Sequence, residues 1–175
     1  MSTLNDPALT EAALFARVDE SELEDTAAKA TVPTRTYLTF MIHDSADPQG
    51  ALKLGVDAEY VVEILSTYSI TYLPMMPDYV PGICNMRGQI IPVMDIRLRL
   101  DKYGSEGGLL VVLNYNNTQV GILVDEVDRI VSVADQDVVS VPSQDSQRFV
   151  SGMFTLEEDA STVLVLDCGE LLSHG

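Results

Sequence analysis

Pro81-Gly82-Ile83-Cys84-Asn85-Met86-Arg87-Gly88-Gln89-Ile90-Ile91-Pro92-Val93-Met94-Asp95-Ile96-Arg97 is the most distinctive stretch of this chain. It reads as a turn that feeds a buried strand. Asn85 can hydrogen-bond its own backbone within a turn. Gly88 can take a backbone conformation that a Cβ would penalise. The apolar run that follows, Gln89 to Met94, has the length of a strand. Arg87 stands between two turn formers and projects from the rim. It reads either as a structural ion pair, with Asp95 or Glu63 as partner, or as a surface residue that serves function.

Further strands are expected on both sides of this stretch. Tyr37-Leu38-Thr39-Phe40-Met41-Ile42 mixes aromatic, β-branched and apolar residues. Other candidates are Ala51 to Val56, Ser69 to Leu73, Leu109 to Asn114, Gln119 to Val124, Val138 to Val141, Ser151 to Thr155 and Thr162 to Leu166. Asn114-Tyr115-Asn116-Asn117-Thr118, between two apolar runs, reads as a hairpin turn because Asn tolerates positive φ. His43 to Gly50 reads as a loop rich in Asp, Pro and Gly. Short helical turns are expected over Ala58 to Leu65 and Asp125 to Val131, and a last turn over Gly169 to Leu172.

The chain echoes itself. Gly55-Val56, Glu59, Val61 and Ile64 are answered by Gly121-Ile122, Asp125, Val127 and Ile130. Ile70 to Pro74 answers to Val138 to Pro142, and Gly82-Ile83 to Gly152-Met153. Ile91-Pro92-Val93-Met94-Asp95 parallels Val163-Leu164-Val165-Leu166-Asp167. The order is kept throughout, which predicts a duplicated β unit. A unit of that size has a marginal core alone, so two should pack together and share apolar surface. The groove between them is then the natural place for a partner.

Composition narrows the function. Hydrophobic residues make up 46% of the 175 residues, and the formal net charge is -17. Such a chain repels phosphate backbones and anionic lipid, so no nucleic-acid partner and no direct membrane insertion are expected. Residues 1–34 read as an acidic tail, disordered or partly helical, with seven acidic residues against Arg17 and Lys29. No basic or apolar region follows Met1, so a secretory signal is not expected. Cys84 and Cys168 have no metal-ligand spacing and read as reduced thiols in apolar surroundings, hence a cytoplasmic protein. His43-Asp44 reads as loop chemistry and Glu157-Glu158-Asp159 as a solvated hairpin tip. Gly107-Gly108 lacks the Lys-Ser/Thr of a phosphate loop. No catalytic residue, metal or cofactor is expected.

The stretch from Gly82 to Arg97 resembles the CheW-type family of chemotaxis coupling proteins. The family pattern is G-x-x-N-x-R-G, an apolar pair, P-V-x-D, then an apolar residue with Arg. Tyr37-Leu38-Thr39-Phe40, Val61-Val62-Glu63-Ile64, Leu73-Pro74 and Gly121 to Val127 fall in the family's order. The resemblance covers Thr36 to about Leu172. It implies a mainly β fold of two SH3-like five-stranded barrels packed side by side, with few short helices. The pseudo-repeated subdomains are expected at about 51–105 and 106–165, with strand exchange at the ends. It also implies a non-enzymatic adaptor that couples the cytoplasmic tips of transmembrane chemoreceptors to the regulatory domain of a CheA-type histidine kinase. Such an adaptor would be recruited to membrane receptor arrays. Carried over residue by residue, the receptor- and kinase-binding site should include Val61, Glu63 and Arg87, with Asn85 and Gly88 shaping the turn. The alternative is a CheW-like scaffold of a non-flagellar receptor–kinase system. The loop at His43 to Gly50 and the acidic tail both look longer than is typical of the family.

Overall fold

The computed structural model describes residues 32–104, 107–142 and 148–173. Most of the acidic tail, up to Thr31, lies outside the described residues. Twelve strands follow in order: β1 (Thr34–Asp44), β2 (Asp47–Asp57), β3 (Val61–Leu65), β4 (Ile70–Tyr72), β5 (Gly82–Met86), β6 (Gln89–Asp95), β7 (Leu109–Tyr115), β8 (Thr118–Val124), β9 (Glu126–Ala134), β10 (Val139–Ser140), β11 (Val150–Thr155) and β12 (Thr162–Leu166). Short helices cover Ile96–Arg99 and Cys168–Ser173.

The strands form two six-stranded sheets, one strand more in each than expected. One sheet runs β3-β7-β8-β6-β5-β4 and forms the central barrel. The other runs β9-β1-β2-β12-β11-β10, uses both chain ends, and forms the terminal barrel. The fold is thus the mainly β, SH3-like pair of barrels that the motifs implied. The two orders match strand for strand once β1–β6 are laid on β7–β12. Each barrel combines the hairpin of one repeat with the four remaining strands of the other. The expected boundaries at residues 51 and 165 fall inside β2 and β12; the sheets change over at 57–61 and 124–126 instead.

Register makes the duplication concrete. Val93 pairs with Gly121 in the central barrel, and Val165 with Gly55 in the terminal one, both in parallel. Tyr72 lies opposite Gly82, and Ser140 opposite Gly152. The backbone N–H of Asp95 donates to the Tyr79 carbonyl at 2.8 Å, and that of Asp167 donates to the Phe149 carbonyl at 2.8 Å. Each Asp then caps a helical turn, Asp95 accepting from the Arg97 N–H and Asp167 from the Glu170 N–H. Apart from Tyr79 and Phe149, these are the residue pairs that the sequence echo aligned.

Strands β7 and β8, and the adjoining stretches 37–42 of β1 and 54–56 of β2, are buried on both faces, which explains why these segments are almost wholly apolar. Leu38, Phe40, Ile42, Leu54 and Val56 join Val111, Leu113, Val120, Ile122 and Val124 in one cluster shared by both barrels. The opposite faces fill the barrel interiors, with Leu110, Val112 and Leu123 in the central one and Tyr37 in the terminal one. Each fully buried aliphatic side chain contributes roughly 1.5–3 kcal/mol, so the shared cluster holds the barrels together. Arg99 adds a second clasp. Its guanidinium lies 4.1 Å from the Tyr79 ring centre and 4.4 Å from that of Phe149, one ring from each barrel.

Three local expectations fail. Ala58 to Leu65 is a three-residue 3-10 turn, Ala58–Tyr60, followed by β3, and Asp125 to Val131 enters β9. Exposure alternates along both strands, as β-branched Val and Ile favour, and tertiary pairing overrides the helical spacing. His43 to Gly50 is no extended loop either. β1 and β2 run into it and leave only Ser45-Ala46 as the turn. Asp44 accepts from the Ala46 N–H and Asp47 from the Gln49 N–H, so residues that read as loop formers hold strand ends. The Asn116-Asn117 turn does form, with both residues at positive φ.

Candidate functional site

Strand β3 and the β5–β6 turn bring four of the five expected site residues together. Val61 pairs with Leu113 and Glu63 with Val112 on β7, so Val62 is an extra residue in a β-bulge. Bulges re-aim side chains and sharpen the local twist. Here Val62 and Ile64 point to solvent, while Val61 and Glu63 are half-buried. Glu63 accepts from Arg87 Nη2 at 2.8 Å across the barrel mouth. Of the two partners that the sequence offered Arg87, Glu63 is the one it meets.

The turn itself has two central residues, Arg87 at φ 53° and Gly88 at φ 84°. Positive φ at both positions marks a type I′ turn, which matches the twist of a hairpin. The Asn85 side chain accepts from the Gly88 N–H at 3.0 Å and fixes the turn from inside. A Cβ on Gly88 would meet nothing within 4 Å, so backbone conformation alone calls for glycine there. Arg87 is the costly residue, since a non-glycine in the left-handed region loses roughly 1–2 kcal/mol. Its side chain is 76% exposed against 25% for Glu63. An exposed pair of this kind returns about 0–1 kcal/mol, too little to offset the strain. Ile90, which follows the turn, is also exposed. The site is a fixed, outward-facing guanidinium with apolar neighbours, suited to directional hydrogen bonds with a protein surface. Val61, paired with Leu113 where the bulge begins, packs against the shared apolar cluster.

The other end of β6 is anchored by a buried network. Arg97 donates to Asp95 through Nε and Nη2 at 2.8 and 3.0 Å, and to Asp125 through Nη1 at 2.7 Å. Asp125, where the chain crosses from β8 to β9, also accepts from the His43 N–H at 2.6 Å. Burial alone would pull the Arg97 guanidinium down, but hydrogen bonds and charge from Asp95 and Asp125 outweigh it and hold it above its ordinary value. The sequence motif contained Asp95 and Arg97, but nothing in it showed that Asp125 completes the network. The Arg99 clasp was likewise missed; an Arg after a helix cap carries no signal that aromatic rings await it.

A family model described as the CheW-like domain matches residues 36–175. The chain belongs to the CheW-like family. A chemotaxis protein CheW of Treponema pallidum is 30% identical over 129 residues, covering 68% of this chain and 75% of the relative. One of Rhizobium meliloti is 31% identical, covering 67% and 83%. The crystal structure of the scaffolding protein TtCheW from Thermoanaerobacter tengcongensis has the same fold, with a TM-score of 0.66, 23% identity, and coverage of 77% of this chain and 90% of that one. CheW-like membership gives this chain a chemotaxis adaptor role. Among the described residues, no helix is long and apolar enough to cross a membrane. Cys84 and Cys168 are free and buried. Burial beside Asp167 pushes the Cys168 thiol up to about 12.

Proposed function

We propose that this protein is a non-enzymatic cytoplasmic adaptor that couples chemoreceptor tips to the regulatory domain of a CheA-type histidine kinase at membrane receptor arrays. The Glu63–Arg87 pair, with Val61, Asn85 and Gly88 as its frame, is the contact surface. The observation that carries this reading is Arg87 itself. A strained turn position that glycine or asparagine would fill at lower cost holds an exposed arginine instead, in a chain of net charge -17. Interface arginines can contribute roughly 2 kcal/mol or more. Membership of the CheW-like family supports this class of partner.

The test pairs a denaturant melt with a reconstituted receptor–kinase assay. Arg87→Ala should keep the fold, shifting stability by at most about 1 kcal/mol. It should weaken coupling at least about tenfold, which corresponds to about 1.4 kcal/mol. Arg87→Gly removes the backbone strain as well as the charge. It should be at least as stable as the parent, yet as poor in coupling as Arg87→Ala. If both variants couple normally, Arg87 is not a contact residue and the site assignment fails.

A further inference from the structure

The terminal barrel repeats the Glu63–Arg87 arrangement with its charges exchanged. Glu63 on β3 lies opposite Val112, which pairs with Gly121. Arg129 on β9 bonds through its backbone to the Thr39 hydroxyl, and Thr39 pairs with Gly55. Glu63 and Arg129 are therefore matching positions. The β11–β12 turn stands where the β5–β6 turn does, and its Glu158 reaches back to Arg129 as Arg87 reaches back to Glu63. In the central barrel the exposed tip is a cation. In the terminal barrel it is an anion, with the Glu158 side chain 75% exposed and Arg129 38%.

Beside this inverted pair lies a cavity of about 820 Å³, lined by Ile130, Val139, Met153, Asp137, Glu157 and Glu158 among others. Phe154 and Leu156 form its buried floor, while other apolar members are open to water: Ile130 is 66% exposed and Val139 57%. Val139 and Met153 face each other across β10 and β11. Among the described residues, β9 and β10 are the two outermost strands of their sheet, each with a single hydrogen-bonded neighbour strand. Edges of this kind accept an added strand. The rim is acidic. Lys53 is shared between Asp128 and Asp159, and Arg129 between Asp128 and Glu158. Glu157 and Asp137 add further carboxylates.

We propose that this groove is a second docking surface, which takes an extended protein segment alternating apolar anchors with lysine or arginine. Apolar side chains of one face would cover Ile130, Val139 and Met153, and the cations would meet Glu157 and Glu158. The surface is separate from the Glu63–Arg87 site and does not depend on that site's partner.

Two capped octapeptides test it, one alternating lysine and valine, the other glutamate and valine. Each is titrated into the isotopically labelled full chain and followed by amide resonances. The lysine peptide should move the resonances of Ile130, Val139, Met153 and Glu158 and leave those of Glu63 and Arg87 in place. The glutamate peptide should not bind, and added salt should weaken the lysine peptide. Exchanging both Glu157 and Glu158 for lysine should reduce its affinity at least about tenfold without changing the melting temperature. Ile130→Asp, at an exposed position, should do the same. No binding, equal binding of both peptides, or shifts centred on Arg87 would overturn the proposal. So would a concentration-dependent dimer that Ile130→Asp dissolves, since the occupant would then be a second copy of this chain.

Discussion

The central and terminal barrels share one strand order and one register, yet their exposed ends are opposites. At four close-packed positions both keep glycine: Gly55 and Gly121 in the parallel pairs, where a Cβ would press on the Val163 and Leu110 side chains, and Gly82 and Gly152 opposite the short edge strands, where it would press on backbone. At the tips they diverge. A two-residue turn presents Arg87, whereas a longer turn presents Glu158. Packing tolerates few choices and preserves the duplication; solvent tolerates many, and there the copies have separated.

The largest expected break in the comparison is at Arg97, whose counterpart in the second repeat is Gly169. Arg97→Ala leaves Asp95 and Asp125 buried without their cation. It should cost about 3–5 kcal/mol in a urea melt. A loss under about 1 kcal/mol would show that the network is dispensable. Next come the paired glycines. A Cβ on Gly82 would lie 2.0 Å from the Thr71 carbonyl oxygen, and one on Gly152 2.9 Å from that of Val139. Gly82→Ala should therefore destabilise by about 3 kcal/mol and Gly152→Ala by about 1 kcal/mol. Equal losses would mean that the two registers are less distinct than they look.

The smallest effect concerns acid. Three carboxylates of the terminal barrel titrate below their ordinary range. The Ala46 N–H leads for Asp44, and the Ser161 hydroxyl and N–H lead for Asp159. For Asp128 burial pushes up, but hydrogen bonds from Lys53 and Arg129 outweigh it. A depressed folded-state value contributes stability above the ordinary carboxylate range, and that stability is lost as pH falls through it. Hydrogen exchange near pH 3 should thus open the β9 and β11–β12 amides before those of β5–β6. The reverse order would contradict this reading.

Much of the fold was legible because duplication leaves a double record. Gly121 and Val93 were ambiguous alone, but Gly55 and Val165 repeat them at matching spacing. The turn at Asn85 to Gly88 was legible because positive φ restricts residue choice. β3 was not, because a bulge at Val62 and a 3-10 turn before Val61 mimic helical spacing over a few residues; nor was β9, because Val127, Ile130 and Val131 also fit a helical period over so short a stretch. The Glu63–Arg87 pair could be offered only as one of two pairings, since residues 24 apart in sequence are joined by barrel closure. The Glu158 tip read as merely solvated; its relation to Arg129 exists only once β9 lies beside β1.

The reciprocal exchange of hairpins has a consequence for how the chain can be divided. Half of it, β1 to β6 or β7 to β12, owns every strand type yet completes neither barrel, because its hairpin belongs with the other half. Two identical halves, meeting, would complete both. The protein thus has the topology of an intertwined homodimer fused head to tail, with the stretch from Lys102 to Gly108 as the splice. In such a fusion the two ends no longer need to match, and a symmetric object becomes one with a distinguishable front and back.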